Sequence, residues 1–231
     1  MGNVSQIITN VRKENRKNLL EPEAKEICKE YSIPVTKFKV AEEEDEAVKA
    51  AEEIGYPIVL KIVSPDIIHK SDVGAVMLNL KTAHEVEKAY REIISNVKNN
   101  LPNARISGFI VQEMAPASTE VIVGAIKDHQ FGPSVMFGLG GIFVEVLKDV
   151  AFRIAPVTIK EAELMITEIK AYPVLKGYRN QPSLDTSAIA EAIVNTSKLV
   201  TDYQEIKELD LNPVMVYEDG VKTVDARIVL D

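Results

Sequence analysis

The sequence predicts a mixed α/β (α+β) protein made of two α/β lobes with a cleft between them. Three observations support this class. Residues 24–102 alternate amphipathic helices with short apolar strands, residues 106–155 are a series of β-rich segments, and residues 185–231 contain a long helix followed by two strands. Alternating helix and strand is typical of an α/β lobe, and ligands commonly bind between two such lobes.

The N-terminal half is predicted to alternate helices with strands. Pro22, with an acid on each side, starts one helix, and Gly55 ends the next, as expected of helix termini. Thr82 and Glu85 form a capping box at the start of another. The predicted helices are residues 4–20, 21–31, 42–54 and 82–99, and the predicted strands are residues 35–40, 57–63 and 75–80.

The C-terminal half is predicted to begin with strands and to end with a helix and a hairpin. Thr158 and Glu161 form a second capping box, and an amphipathic helix spans residues 185–203. The dipeptide Asp219-Gly220 is a strong hairpin signal. The predicted strands are residues 106–113, 120–127, 135–139, 151–155, 206–217 with a break at Asn212-Pro213, and 221–230.

Composition limits the classes of function. The 46% hydrophobic and 27% charged residues are those of a folded globular chain. Because 35 acidic residues outnumber 27 basic ones, neither nucleic acid nor an anionic membrane is an expected partner. No apolar run approaches the roughly 18 residues of a membrane span. The N-terminus has no signal-peptide core, and the single cysteine, Cys28, excludes an intrachain disulfide. We therefore expect a cytoplasmic protein.

Two residues are candidates for phosphate chemistry. Lys61 is the one charge in the apolar run 57–63, where it is either an edge residue whose stem reaches water or a phosphate ligand. His69 lies in the polar loop that follows. It is either merely solvated or a nucleophile, since imidazole is uncharged and reactive near neutral pH. These residues alone leave both alternatives open.

Two further segments are typical of nucleotide sites, although each is a weak signal alone. The glycines of Gly138-Leu-Gly-Gly141 follow an apolar strand, as phosphate-binding glycines often do, but a tight turn explains them equally well. Residues 111–120 join two strands. Glu113 and Glu120 are therefore either ligands of an adenine edge and a ribose or ordinary surface acids.

Polar residues on the last strands predict a metal site. Asp210 and Asn212 are two residues apart and therefore share one strand face, and Asp225 is expected across the hairpin from them. Proteins usually hold Mg²⁺ with a few such oxygen ligands, while phosphates and water supply the rest. The alternative, a plain polar strand face, is weakened by the apolar neighbours Leu209 and Leu211.

The order of these motifs resembles the ATP-grasp fold. More closely, it resembles the β subunit of ADP-forming acetyl-CoA synthetase, a relative of succinyl-CoA synthetase. The most specific parts are residues 69–74, 112–114 and 210–213, and the resemblance runs from about residue 24 to the C-terminus. It implies two α/β lobes that enclose a nucleotide cleft.

The resemblance also implies a division into three parts. Residues 1–23 are expected to form a leading helical segment that packs on the C-terminal lobe. Residues 24–110 are expected to form the N-terminal ATP-grasp subdomain, and residues 111–231 the C-terminal subdomain that binds nucleotide and Mg²⁺.

By resemblance, each candidate residue has an implied role. Lys61 would contact nucleotide phosphates together with the loop residues His69, Lys70 and Ser71. His69 would also relay a phosphoryl group on a mobile loop. The other implied ligands are Glu113, Met114 and Ala115 for adenine, Glu120 for ribose, and Asn212 and Asp225, with Asp210 as an accessory, for Mg²⁺. The chain departs from the family pattern at Ala75, where the family has a second loop glycine.

The implied function is that of the nucleotide-binding β subunit of an ADP-forming acetate–CoA ligase. Such an enzyme makes ATP from ADP, phosphate and acyl-CoA through a phosphohistidine relay. The family's CoA-binding domain has a Rossmann glycine fingerprint and the primary phosphohistidine, and neither motif is visible here. The implied partner is therefore a separate CoA-binding α subunit that carries both. The resemblance also implies an α₂β₂ heterotetramer.

Two alternatives to this function remain. A succinyl-CoA synthetase-type β subunit is less favoured, because that type has a Gly-Arg-Gly-Lys-rich loop where this chain has His69. A nucleotide-binding regulatory module without catalysis is less favoured, because a pure binder has less need of the metal residues Asp210, Asn212 and Asp225.

Overall fold

The computed structural model describes residues 3–67, 69–141, 144, 146–177 and 182–231. The helices are α1 (Asn3–Lys13), α2 (Glu21–Glu30), α3 (Glu44–Ile54), α4 (Ala83–Asn100), α5 (Ile159–Glu168), α6 (Tyr172–Leu175) and α7 (Thr186–Asp202). The strands are β1 (Phe38–Ala41), β2 (Ile58–Val63), β3 (Val76–Leu80), β4 (Gly108–Glu113), β5 (Thr119–Asp128), β6 (Gly132–Leu139), β7 (Val150–Ile154), β8 (Ile206–Tyr217), β9 (Gly220–Thr223) and β10 (Ala226–Leu230). Within these described ranges, no helix is both long and apolar enough to cross a membrane.

The chain divides into two compact units. The first comprises Met1–Val35 and Ala117–Asp231, and the second comprises Thr36–Pro116. The sequence instead places the boundaries after residues 23 and 110, which assigns α2 to the other unit. In the structure α2 belongs to the first unit, because its buried apolar face packs into the core of that unit.

The second unit is a four-stranded antiparallel sheet with two helices. The strand order is β1-β4-β2-β3, so β2 and β4 are interior strands. Helices α3 and α4 contribute small and branched apolar side chains to its core. The predicted cap of α4 is present, with the Thr82 hydroxyl accepting the N–H of Glu85 at 3.2 Å. All residues of β2 are buried, so a charge on this strand is removed from bulk water.

The first unit is a six-stranded antiparallel sheet covered by helices. Its strand order is β10-β8-β5-β6-β7, and β9 pairs with β8. Helices α1, α2, α5 and α7 supply the buried apolar faces of its core. Thr158 and Glu161 form the predicted capping box. Tyr217 pairs with Gly220, which confirms the hairpin predicted from Asp219-Gly220.

Two predicted elements have different extents in the structure. The first helix ends at Lys13 rather than residue 20, because Asn15 adopts a left-handed conformation (φ 54°) and Asn18 then pairs with β10. The predicted strand 221–230 is two strands, β9 and β10, which both pair with β8. The interruption between them contains Asp225.

Helix α2 carries a buried ion pair. Lys25 is 0% exposed and Glu21 is 6% exposed, and Lys25 Nζ lies 3.3 Å from Glu21 Oε1, one helical turn away. On the same helix, the exposed Lys29 Nζ lies 2.8 Å from Glu26 Oε1. Removing one partner of a buried pair leaves the other charge uncompensated, whereas an exposed pair contributes little.

We expect Lys25→Met to lower the free energy of unfolding by about 3–5 kcal/mol, because Glu21 then remains buried without its cation. Urea denaturation at neutral pH measures this loss. The matched control, Lys29→Met, should cost less than about 1 kcal/mol. Adding Glu21→Gln to Lys25→Met should recover much of the loss. Equal effects of the two lysine substitutions would contradict this account.

Candidate functional site

Lys61 lies on an interior strand of the second unit. Its partners across the sheet are Ile110 on β4 and Val76 on β3, and the residue is only 5% exposed. Because β2 has a strand on each side, the edge-residue alternative is wrong. A charged amine in such a place needs polar or anionic groups around it, and phosphate oxygens are suitable ones.

His69 lies exposed, immediately before a compact turn. Residues Ser71–Val73 form a 3₁₀ turn, and the N–H of Ala75 donates to the carbonyl of Lys70 at 2.9 Å. Gly74 ends the turn in the left-handed region (φ 63°), where glycine is favoured. The turn therefore presents His69, Lys70 and Ser71 on one short segment.

Ala75 occupies the family's second glycine position without strain. The residue is fully buried, and its carbonyl accepts the N–H of Ile62 at 3.0 Å, so it continues the pairing of β3 with β2. The left-handed conformation falls on Gly74 and not on Ala75. An alanine is therefore compatible with the geometry of this turn.

The predicted adenine segment begins at the end of β4. The N–H of Glu113 donates to the carbonyl of Lys37, and its Oε1 accepts the N–H of Lys37, both at 2.9 Å. The N–H of Met114 donates to the carbonyl of Pro57 at 3.0 Å. Within the described chain, the N–H of Ala115 has no hydrogen-bond partner. The segment is thus fixed at Glu113 and Met114, with one donor remaining at Ala115.

In the first unit, Glu120 lies beside the predicted glycines. Its carbonyl accepts the N–H of Gly140 at 2.8 Å. A Cβ on Gly140 would lie 3.1 Å from the Cβ of Glu120, and one on Gly138 would lie 2.9 Å from the carbonyl oxygen of Asp149. Close approach of neighbouring backbone therefore explains both glycines without a ligand. Gly141 has a left-handed φ of 59°.

The three predicted metal ligands lie together in the first unit. The N–H of Asn212 donates to the carbonyl of Asp225 at 3.2 Å, so the interruption between β9 and β10 is opposite Asn212. Strand β8 itself is continuous from Ile206 to Tyr217, so the break predicted at Asn212-Pro213 is wrong. Asp210 pairs with Arg227 on β10 and Gly124 on β5. The cross-strand position predicted for Asp225 is therefore correct.

The ionisation of Asp210 reflects this environment. Burial raises the pKa of its carboxyl above the ordinary value, the Arg227 guanidinium lowers that pKa, and the Asp225 carboxylate raises it. Among the described residues, no group of three or more His, Cys, Asp or Glu side chains forms a metal cluster. Two carboxylates and one amide oxygen nevertheless fit Mg²⁺, which commonly takes one or two carboxylates and completes its octahedron with phosphates and water.

The sequence does not predict two side-chain contacts, made by Asp66 and Asn96, on the segment that carries His69. Asp66 follows Pro65 and resembles any loop acid, and Asn96 lies on α4 among polar residues that resemble a solvated helix face. Their contacts join residues far apart in the chain, and no periodicity or spacing indicates such contacts.

Comparison with known proteins decides the family. The profile of the ATP-grasp domain matches residues 10–230. The chain is 55% identical over 225 residues to "Acetate--CoA ligase [ADP-forming] I subunit beta" of Pyrococcus furiosus, and the match covers 97% of each chain. The chain belongs to the ATP-grasp family of ADP-forming acetate–CoA ligase β subunits.

Solved structures of this family agree with the fold. A chain of the acetyl-coenzyme A synthetase 1 of Ca. Korarchaeum cryptofilum, in complex with coenzyme A, Ca-AMPCP and HgCl⁺, has a TM-score of 0.97 and 51% identity, over 99% of this chain and 100% of that one. Another structure of that enzyme, with coenzyme A and Mg-AMPPCP, has its phosphohistidine segment pointing towards the nucleotide binding site. Its TM-score is 0.89 at 47% identity, over 99% and 100% of the two chains.

These comparisons confirm the predicted ATP-grasp fold and the assignment to ligase β subunits. The individual roles of the site residues stay predictions. The structure assigns Lys61, the His69–Ser71 segment and residues 113–115 to the second unit. Glu120 and the three predicted metal ligands belong to the first.

Asp210→Asn should stabilise the metal-free chain at neutral pH. A carboxyl whose pKa is raised by folding binds more protons in the folded state, so its ionisation lowers stability as pH rises above the unfolded pKa. The increase in the free energy of unfolding caused by Asp210→Asn should therefore shrink as pH falls towards the ordinary carboxyl pKa. Thermal unfolding across pH measures it, with the exposed Asp72→Asn as control. A destabilised Asp210→Asn chain at neutral pH would count against the raised pKa.

Proposed function

We propose that this chain binds ADP and ATP in an enzyme that catalyses acyl-CoA + ADP + phosphate ⇌ carboxylic acid + ATP + CoA, with acetate as the acid. The observation that carries the proposal is the buried Lys61 on an interior strand, followed within the same unit by the exposed His69. One residue offers a fixed charge for phosphates and the other an accessible nucleophile. Similarity to an acetate–CoA ligase subunit over 97% of the chain supports acetate as the acid.

In this proposal the nucleotide is held at both of its ends. Lys61 contacts the phosphates, and Lys70 and Ser71 add donors from the turn. Glu113, Met114 and Ala115 contact the adenine edge, and the unpartnered N–H of Ala115 supports this assignment. Glu120, exposed at the start of β5, takes the ribose hydroxyls.

We propose that Asn212 and Asp225, assisted by Asp210, hold Mg²⁺. The donor chemistry of these three residues and their position on adjoining strands support this. When bound, the ion would neutralise phosphate charge during transfer. The contribution of the chain is to keep two carboxylates close together in a partly buried place. Burial raises the pKa of Asp210, Arg227 lowers it and Asp225 raises it, and a bound cation would favour the ionised form.

We propose that His69 is a second phosphoryl carrier. Neutral imidazole attacks the phosphoryl group of a phosphohistidine on the partner, so that one N–P bond forms at His69 as the donor N–P bond breaks. A β-phosphate oxygen of ADP then attacks, a P–O bond forms, and His69 leaves as neutral imidazole. Lys61 acts in this step by position and charge, since phosphoryl transfer needs little covalent work from the protein.

The proposal includes a partner that holds CoA and the first phosphohistidine. The name of the Pyrococcus relative, a subunit β, and the phosphohistidine segment of the Korarchaeum enzyme support this. We propose an α₂β₂ heterotetramer that works in the cytoplasm.

His69→Ala should abolish ATP formation by the complex of this chain with its α subunit, by at least about a hundredfold, because the carrier is missing. The affinity for ADP should be unchanged, since His69 forms no part of the strand that carries Lys61. A coupled ATP assay and equilibrium ADP titration measure the two effects. His84→Ala is the matched control, because His84 is also exposed and in the same unit.

Labelled ATP adds a second readout. The wild-type complex should yield phosphohistidine at position 69, identified by mass spectrometry. ATP formation by His69→Ala at the rate of His84→Ala would exclude the relay through His69. If the wild-type complex neither made ATP nor became labelled, a regulatory nucleotide-binding role would replace the enzymatic one.

A further inference from the structure

The segment that carries His69 is attached to the second unit on its N-terminal side by the Asp66 carboxylate. The backbone N–H of Arg105 donates to Asp66 Oδ2 at 2.8 Å, Arg105 Nε donates to the same oxygen at 3.0 Å, and Arg105 Nη2 donates to Oδ1 at 2.9 Å. Three donors from one residue therefore fix both oxygens of this carboxylate.

The Asp66–Arg105 contact extends the sheet. The pairing of β2 with β4 continues where the N–H of Ser107 donates to the carbonyl of Val63 at 2.8 Å. Two residues before Ser107, the N–H of Arg105 donates to the Asp66 side chain rather than to a backbone carbonyl. The Asp66 carboxylate thus takes the place of a strand carbonyl, and it ties the start of the loop to the end of the sheet.

The carboxylate is ionised throughout the working pH range. Arg105 lowers the pKa of Asp66 to about 2, first through its side chain and then through its backbone N–H. The contact is therefore complete above the ordinary carboxyl pKa and is lost only as pH falls through about 2.

On the C-terminal side, Asn96 makes the attachment. Its Nδ2 donates to the carbonyl of Gly74 at 3.0 Å. A Cβ on Gly74 would lie 2.8 Å from that same nitrogen, so the helix side chain packs directly against the left-handed residue. The buried Ala75 follows, and its hydrogen bond to Lys70 closes the turn.

His69 lies between these two attachments. Ile67, just after Asp66, is buried in the core of the unit, and Lys70, just after His69, belongs to the turn that Asn96 holds. Contacts of Asp66 and Asn96 therefore hold described residues that precede and follow His69.

We propose that Asp66, with its partner Arg105, and Asn96 are positioning residues that set the place of the His69 imidazole for phosphoryl transfer. The inference rests on the relay proposed above. In-line transfer needs the accepting nitrogen close to the phosphorus and aligned with it. A small displacement of the backbone that carries His69 therefore lowers the rate of phosphoryl transfer. Exposed ion pairs contribute little to stability, so loss of Asp66 should affect the rate and not the fold.

Asp66→Asn should slow labelling of His69 by about 10- to 100-fold in the complex with the α subunit, measured in a single turnover of γ-labelled ATP. Asn96→Ala should act in the same direction. Arg105→Lys should also be slowed, because a lysine keeps the charge but loses the bidentate geometry. The affinity for ATP should be unchanged in all three, which also shows that they are folded.

Glu44→Gln is the matched control. Glu44 and Arg91 form a bidentate pair in the same unit, and the side chains are exposed to similar extents, 25% and 69%, against 34% and 71% for Asp66 and Arg105. Glu44 does not contact the turn, so Glu44→Gln should label at the wild-type rate.

Three results would overturn the account at different points. Labelling of Asp66→Asn at the rate of Glu44→Gln would exclude positioning by Asp66. A slower rate accompanied by an equal loss of ATP affinity would indicate general damage to the site and would also exclude positioning. An unlabelled wild-type complex would instead refute the relay itself.

Discussion

A positive charge enclosed in an interior strand is the constraint on which the rest of the site depends. Lys61 has strands on both sides and is almost completely buried. A charge in such a place is strongly unfavourable unless polar or anionic groups surround it. The sheet thus fixes the position of the residue that carries the charge, and phosphoryl transfer depends on this kind of preorganisation.

Among the proposed metal ligands of the first unit, burial acts against a negative charge at Asp210. Burial raises the pKa of the Asp210 carboxyl, the Arg227 guanidinium lowers it, and the Asp225 carboxylate raises it. In a chain selected for stability alone, an amide at position 210 would avoid the cost of burying this charge. A bound cation would favour the ionised form of Asp210, which agrees with the proposed Mg²⁺ site.

Local signals predicted much of the fold. The hydroxyl cap at Thr82, the capping box at Thr158 and the Asp219-Gly220 hairpin are present because each depends on residues a few positions apart. The compact units divide at different residues from the predicted subdomains, because the side on which α2 packs is decided by a core assembled from distant segments.

The sequence likewise predicted some features of the candidate site and not others. Strand periodicity and the hairpin brought Asn212 and Asp225 together, whereas the interior position of Lys61 followed only from the strand order. The Asp66–Arg105 contact spans 39 residues, so no sequence pattern indicates it. The family resemblance supplied the roles of the residues, which local chemistry alone left open.

The central claim is that Lys61 is a phosphate ligand, and the affinity of Lys61→Met for nucleotide tests it most directly. Methionine keeps the volume of the stem and removes the charge. Loss of a charge-assisted contact should weaken ADP binding by about 10- to 100-fold, measured by calorimetric titration, and should leave adenosine binding unchanged. Equal affinities of Lys61→Met and the wild-type chain for ADP would contradict the account.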